Sequence, residues 1–265
     1  MAGVLIHSMS EFSDIILGAL EIAGAKEIVE IGAEFGGMTF RLADFVAEHG
    51  GRLTSIDPAP KQEFLAWVAE NPQVRHIAKP SLEALPDAKG VDAWLIDGDH
   101  NWYTVYHELK CIEAACRRDG KPFLAFLHDV EWPAGRRDMY YAPDQIPAEY
   151  RQPYDYDGGA VPGFGGLLPG RGFRGMGQFA FAVAEGGPRN GVLTAIEDFT
   201  EELSDQGRTM AFCQLPAVFG LGILFDMDAA WSQALAESVV PYHDNSLLRS
   251  LEQNRLANFL TAIDS

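Results

Sequence analysis

The chain has 265 residues, 47% of them apolar and 22% charged, enough for one sizeable core without staples and short for two full domains. Its net charge of −18 creates a field that repels duplex nucleic acid and anionic membranes. Its three cysteines, Cys111, Cys116 and Cys213, contain no CxxC pair, which argues against a disulfide framework or a cysteine-based zinc site.

Met1–Ser10 has no basic stretch leading into a long apolar run, and no segment reaches about 18 uninterrupted apolar residues. A soluble cytoplasmic protein is expected. Ser10–Ala23 reads as an amphipathic helix, with Phe12, Ile15, Ile16, Ala19 and Leu20 on one side and Ser10 or Ser13 as its cap. Glu27–Gly32 is a short apolar run ending in glycine, hence a buried strand, and Gly37–His49 a helix. Arg52–Asp57 is a second strand, stopped by Pro58 and Pro60. Lys61–Glu70 is a helix, Val74–Ile77 a strand, Val91–Ile96 a fourth strand ended by Asp97–Gly98. Tyr103–Arg117 is a helix and Pro122–Leu127 a fifth strand.

This alternation predicts βαβ units and a parallel sheet. Ligands of such sheets sit at the carboxyl ends of the strands, which directs attention to Gly32, Asp57, Asp97 and His128–Asp129. After Asp129 the character changes. Residues 131–189 are rich in aromatics, proline and, from Gly158 to Gly177, glycine. That is too long for an ordinary connection, and it reads as an insertion over the active face, a lid on a single domain spanning 1–265. Gly191–Leu203 resumes as a helix. Thr209–Leu215 and Gly220–Phe225 are expected to pair as an antiparallel hairpin at the sheet edge, and Ser246–Ile263 is a final amphipathic helix. The expected fold is therefore α/β, a Rossmann-like doubly wound sheet of seven strands, mostly parallel.

Three groups of residues carry chemistry. In Glu30-Ile31-Gly32-Ala33-Glu34-Phe35-Gly36-Gly37, glycines after a strand permit a tight turn and close approach of a ligand. The helix that follows offers free N–H groups and a positive dipole end. The spacing is not GxGxxG. It suits S-adenosylmethionine (SAM), with Glu30 as partner for the ammonium of the methionine tail. Asp57, about 25 residues after Gly32, is placed to hold the two ribose hydroxyls of an adenosine ligand. Ser81 is either a helix N-cap or a contact to the adenine.

The third group is Asp97-Gly98-Asp99-His100 with His128-Asp129. Carboxylates at adjacent strand ends can share one divalent cation, and oxygen ligands without cysteine favour Mg²⁺. The cation would lower the pKa of a substrate hydroxyl, with Asp99 or His100 taking the proton. The alternative is structural: Asp97–Gly98 a plain turn, His100 a helix cap, His128 a satisfied core histidine.

VEIGAEFGG, SIDP, LIDGDHNW and LHD, within residues 27–130, resemble the class I SAM-dependent methyltransferases. DGDH and HD are similar to the metal-dependent O-methyltransferases of macrolide and aminocoumarin sugar tailoring, the macrocin type. The resemblance implies Glu30, Gly32 and Asp57 for SAM; Gly36 and Asp97 are further candidate contacts to it. It implies Asp97 and Asp129 as Mg²⁺ ligands, and a base at Asp99 or His100. Where the family often has two adjacent acids after the fifth strand, the first here is His128, itself a candidate metal ligand beside Asp97 and Asp129. The expected activity is methyl transfer to a hydroxyl of a small secondary metabolite, as in antibiotic biosynthesis. Expected partners are that acceptor and a second copy of the chain, without nucleic acid or membrane. Three rival readings remain: transfer to nitrogen or a carboxylate without a metal, a nicotinamide-dependent oxidoreductase, and a non-catalytic SAM-binding protein. Arg136, Arg137 and Arg171 are either acid-recognising groups or plain surface.

Overall fold

The structure, a computed structural model, describes residues 5–33 and 36–264. Glu34 and Phe35, in the first glycine turn, lie outside the described residues. The first half of the chain alternates strand and helix. The elements are α1 (Ser13–Ala23), β1 (Glu27–Ile31), α2 (Gly37–His49), β2 (Arg52–Ile56), α3 (Gln62–Glu70), β3 (Val74–Ile77), α4 (Ser81–Ala84), β4 (Ala93–Ile96), α5 (Trp102–Asp119) and β5 (Leu124–His128). The apolar runs become strands because both sheet faces are covered: β4 and β5 are buried at every residue.

Seven strands form the main sheet in the order β11-β12-β5-β4-β1-β2-β3, where β11 is Met210–Leu215 and β12 Leu221–Asp226. β12 runs antiparallel to both of its neighbours, and the other pairings are parallel. The sheet is doubly wound. One face packs residues of α1, α2, α3 and α7 (Ser232–Val239) around Ile28, Leu53, Leu95 and Phe126. The other packs α4, α5 and α6 (Val192–Asp205) around Val29, Trp94 and Leu127. Phe126 is fully buried, and Phe126→Ala would cost about 3–5 kcal/mol as transfer plus cavity.

Some expectations differ from the outcome. A 3₁₀ turn over Met9–Phe12, capped by Ser8, precedes α1, which starts at Ser13 behind Phe12 rather than a side-chain cap. The expectation of Ser81 as an N-cap fails, since Pro80 occupies that position and Ser81 is the first helical residue. Helix α7 follows β12 directly and escaped the sequence reading. In α8 (Ser246–Ile263), Leu247 and Leu251 are exposed, so its apolar residues do not form one buried stripe.

The segment after β5 has regular structure of its own. β6 (Met139–Tyr140), β10 (Ala180–Ala182) and β7 (Tyr154–Asp155) form a three-stranded antiparallel sheet, and β8 (Gly158–Val161) pairs with β9 (Phe164–Pro169). Two buried side chains bind it together. Arg137, 1% exposed, donates to the carbonyls of Ala182, Val183, Gly165 and Gly166 at 2.6–3.1 Å. That makes it an internal staple rather than an acid-recognising surface group. Arg136 pairs with Glu197 of α6. Asp138, fully buried, accepts from the backbone N–H of Trp102 and of Gly191 (both 2.7 Å) and from the Tyr140 hydroxyl (2.6 Å). It thereby clips the insertion onto the first turn of α5, where a carboxylate also complements the helix dipole.

Candidate active site

Strand register builds the site. Ile31 pairs with Ile56 on one side and with Ile96 on the other, and Ile96 with Leu127. The next residue on each strand is therefore Asp57, Gly32, Asp97 and His128, in a row along the carboxyl edge. The backbone ladder continues into that row, with Gly32 N–H donating to Ile56 O and Asp97 N–H to Ile31 O, both at 2.9 Å.

At the first turn, Gly32 has φ +86° and an added Cβ would stand 2.2 Å from the Asp97 carbonyl oxygen. No other residue fits. The turn needs the left-handed region, and the end of β4 passes against it. Asp57 braces the same turn: its Oδ2 accepts from Ala33 N–H at 3.1 Å and its Oδ1 from Ala59 N–H at 2.8 Å. Gly36, φ +84°, is the N-cap of α2 and brings no capping side chain. Among the described residues no side chain caps this helix, and an uncapped helix start presents backbone amides. Glu30 is buried beneath this turn with its Oε2 accepting from the Thr39 hydroxyl at 2.6 Å. Burial, against the Thr39 bond, pushes its carboxyl up to about 8. Gly32, Gly36, Asp57 and Glu30 are thus gathered around the turn between β1 and α2.

On the other side of Asp97 lies an acid–histidine cluster. His128 Nδ1 is 3.1 Å from Asp97 Oδ1 and 3.1 Å from Asp129 Oδ2. His100 Nε2 is 3.5 Å and 3.3 Å from the same two oxygens. Ligand atoms of Asp97, His100 and Asp129 all lie within 4.8 Å of one another, a grouping able to hold a metal ion. Burial opposes charge on His100, but the Asp129 and Asp97 carboxylates outweigh it and its pKa is pushed up to about 9. The same balance raises His128 well above the usual histidine value. Asp97 is also disfavoured as an anion by burial, yet His128 and His100 hold it below the usual carboxylate range. Asp129 has φ +59°, the kind of strained backbone that persists where surrounding structure over-determines it.

Asp99 stands apart from this cluster. Its Oδ2 accepts from the Thr104 hydroxyl at 3.3 Å, and burial raises its pKa against the pull of His100. The helix cap in this turn is Asn101, whose side chain accepts from Thr104 N–H at 2.9 Å; the cap reading of His100 fails. Ser81 lies against the carboxyl of Glu108 on α5. Glu108 is fully buried, and burial, only partly offset by Ser81, pushes it up to about 8.

Several contributors have no sequence signature. The His100 carbonyl accepts from Met139 N–H at 2.9 Å, so the insertion pairs directly with the site. Tyr141 then meets the His100 ring edge-on at 6.0 Å and the Phe179 ring at 6.1 Å. The Val218 carbonyl accepts from His128 Nε2 at 2.9 Å, and buried Glu252 of α8 accepts from Phe219 N–H at 3.0 Å. Val218 and Glu252 are 90 or more residues from the β5 end, and Met139 and Tyr141 lie in the aperiodic segment after it, so no local pattern marks them.

Among known families, residues 29–130 match a model described as a methyltransferase domain, which is less than half of the chain. No curated protein matches. Among solved structures, the chain is similar to an O-methyltransferase from Bacillus cereus in complex with SAH, with a TM-score of 0.49 and 15% identity over 85% of each chain. A similar likeness holds to an SAH-bound methyltransferase from Podospora anserina, with a TM-score of 0.47 and 15% identity over 82% of this chain and 78% of that one. No helix among the described residues is long and apolar enough to cross a membrane.

Proposed function

We propose that the protein is a SAM-dependent methyltransferase acting on a hydroxyl of a small molecule, assisted by a divalent cation. One observation carries the reading: Gly32 packs directly against the Asp97 backbone, so a donor bound at the Gly32 turn would share a wall with the Asp97–His100–His128–Asp129 cluster. The match of residues 29–130 to a methyltransferase domain supports it.

When bound, SAM supplies an electrophilic methyl carbon, and a cation at the two carboxylates lowers the pKa of an acceptor hydroxyl. The chain does the rest. The Gly32 turn, the start of α2 and Asp57 hold the donor in one orientation. Asp97, Asp129 and His128 present the cation site. In its neutral form His100 would take the hydroxyl proton; we assign it, rather than Asp99, as the base because of the two only His100 stands with the carboxylates. The acceptor oxygen forms the bond to the methyl carbon as the carbon–sulfur bond breaks, leaving SAH, and the proton passes from His100 to solvent. In-line alignment is the main contribution of such a site. The insertion, with Tyr141 beside His100, forms the acceptor wall. A homodimer through the terminal helices belongs to the same reading.

A second reading, metal-free transfer, is favoured by charge balance: two histidinium rings already offset the carboxylates of Asp97 and Asp129. Calorimetric titration with SAM, followed by SAH release over a panel of hydroxylated, amino and carboxylic acceptors, tests the proposal. Absence of SAM binding at millimolar concentration defeats it. Full activity in Asp129→Ala, or in excess chelator, moves the assignment to the metal-free reading.

A further inference from the structure

The identity of the cation follows from one atom. His128 Nε2 lies 2.9 Å from the Val218 carbonyl oxygen. A carbonyl only accepts, so Nε2 carries the hydrogen in every protonation state of the ring. In the neutral ring the lone pair is then on Nδ1, which is 3.1 Å from both Asp97 Oδ1 and Asp129 Oδ2. Two donors bonded at about 2.0–2.2 Å to a common ion lie about 2.9–3.5 Å apart, so Nδ1 stands at the spacing of a co-ligand from each of the two oxygens. The His128 side chain is 2% exposed and cannot turn away.

The tautomer is imposed by structure brought from elsewhere in the chain. Val218 and Phe219 both have positive φ, +47° and +65°, a costly pair for a β-branched and an aromatic residue. The turn is held from below: Glu252 accepts from Phe219 N–H at 3.0 Å and is paired with Arg255 at 2.6 Å. Arg255 also lies over the Phe219 ring, 4.8 Å from its centre. A carbonyl or carboxylate on the remote nitrogen is the arrangement that orients a metal-ligating histidine.

We infer that the site takes a nitrogen-accepting dication of the first transition row, of the Co²⁺–Zn²⁺ kind, with Asp97, Asp129 and His128 Nδ1 as its ligands, and discriminates against Mg²⁺. Magnesium prefers oxygen donors and retains water, whereas imidazole suits the later transition ions. His128, at the end of β5, would thus turn the site away from the Mg²⁺ expected from the sequence. The inference takes from the proposed function only that a cation belongs here, and its test reads cation binding directly, so either can fail while the other stands.

Chelator-treated full-length protein is titrated with Co²⁺ while visible absorption is followed, then with Zn²⁺ and Mg²⁺ by calorimetry, each with and without SAM. Co²⁺ and Zn²⁺ are expected to bind at least about tenfold more tightly than Mg²⁺, and X-ray absorption of the Zn²⁺ form to show imidazole scattering. Asp129→Ala is expected to abolish the cobalt spectrum, and His128→Asp, with fold checked by circular dichroism, to narrow the preference over Mg²⁺ by about tenfold or more. Equal affinity for Mg²⁺, a cobalt spectrum that survives Asp129→Ala, or a scattering shell of oxygen alone would overturn the inference. The last measurement needs only the wild-type chain. A failed SAM titration with cation binding intact would count against the methyltransferase reading alone.

Discussion

His128 Nε2 donates to the carbonyl oxygen of Val218, 90 positions later in the chain, at 2.9 Å. A strand end from the first half of the sheet is thereby oriented by a turn from its C-terminal hairpin, and that turn by a helix beyond it. Substitution of Glu252 tests this chain of support. Glu252→Ala leaves the buried Phe219 N–H without an acceptor and Arg255 without its partner. A loss of about 1–3 kcal/mol is expected for the orphaned donor, read by urea unfolding. Methyl transfer should fall while SAM affinity holds, because the Gly32 cradle lies on the opposite side of β4. An unchanged activity would remove α8 from the site.

Gly32 and Gly98 make a paired test of the cradle. Gly32→Ala drives a Cβ to 2.2 Å from the Asp97 carbonyl at φ +86°, whereas at Gly98 the nearest atom is Ile31 Cγ2 at 3.1 Å. Left-handed strain alone costs about 1–2 kcal/mol, and the clash adds to it. Gly32→Ala should lose SAM binding by at least about tenfold, the equivalent of 1.4 kcal/mol, with Gly98→Ala much milder. Equal effects in calorimetry would contradict the close approach.

Stability should fall as pH rises from acid to mildly alkaline. Burial raises Glu30 and Glu108 from 4.5 to about 8. Between those values the folded chain keeps protons that the unfolded chain has lost. His100, raised from 6.5 to about 9 by its carboxylate neighbours against burial, extends the same effect upward. Wherever the folded state binds more protons, stability declines with pH, by up to about 1.4 kcal/mol per unit per group. Glu108→Gln should flatten the decline between pH 5 and pH 8, measured by urea unfolding at each pH. A slope identical to wild type would mean that Glu108 is ionised in the fold.

Asp138→Ala should release the insertion without unfolding the sheet. It orphans the N–H groups of Trp102 and Gly191 and the Tyr140 hydroxyl, at about 1–3 kcal/mol each if none finds water. Limited proteolysis should then cut within residues 139–190 faster than in wild type, with circular dichroism of the core retained. Uniform loss of structure would show instead that insertion and sheet fold as one unit.

The strand–helix alternation from β1 to β5, the edge hairpin and the four strand ends were legible in the chain because they rest on local patterns. Apolar runs of strand length, glycine and proline stops, and acids just past the runs need no knowledge of distant contacts. Gly32, Asp57, Asp97 and His128 were therefore nameable, and parallel register alone aligns them. Residues 131–189 resisted because their structure comes from buried polar links such as Arg137 to carbonyls of β9 and β10, which have no periodicity. The roles of His100 and Asp99 were likewise open, since adjacent residues point to different neighbours and only packing shows that one joins the carboxylates while the other takes Thr104. His128, at the end of β5, was nameable as a metal-ligand candidate standing where an acid was expected. Which of its ring nitrogens faces the carboxylates was decided only by the Val218 carbonyl, because a tautomer is set by the atom opposite the ring, and that atom arrives through the fold.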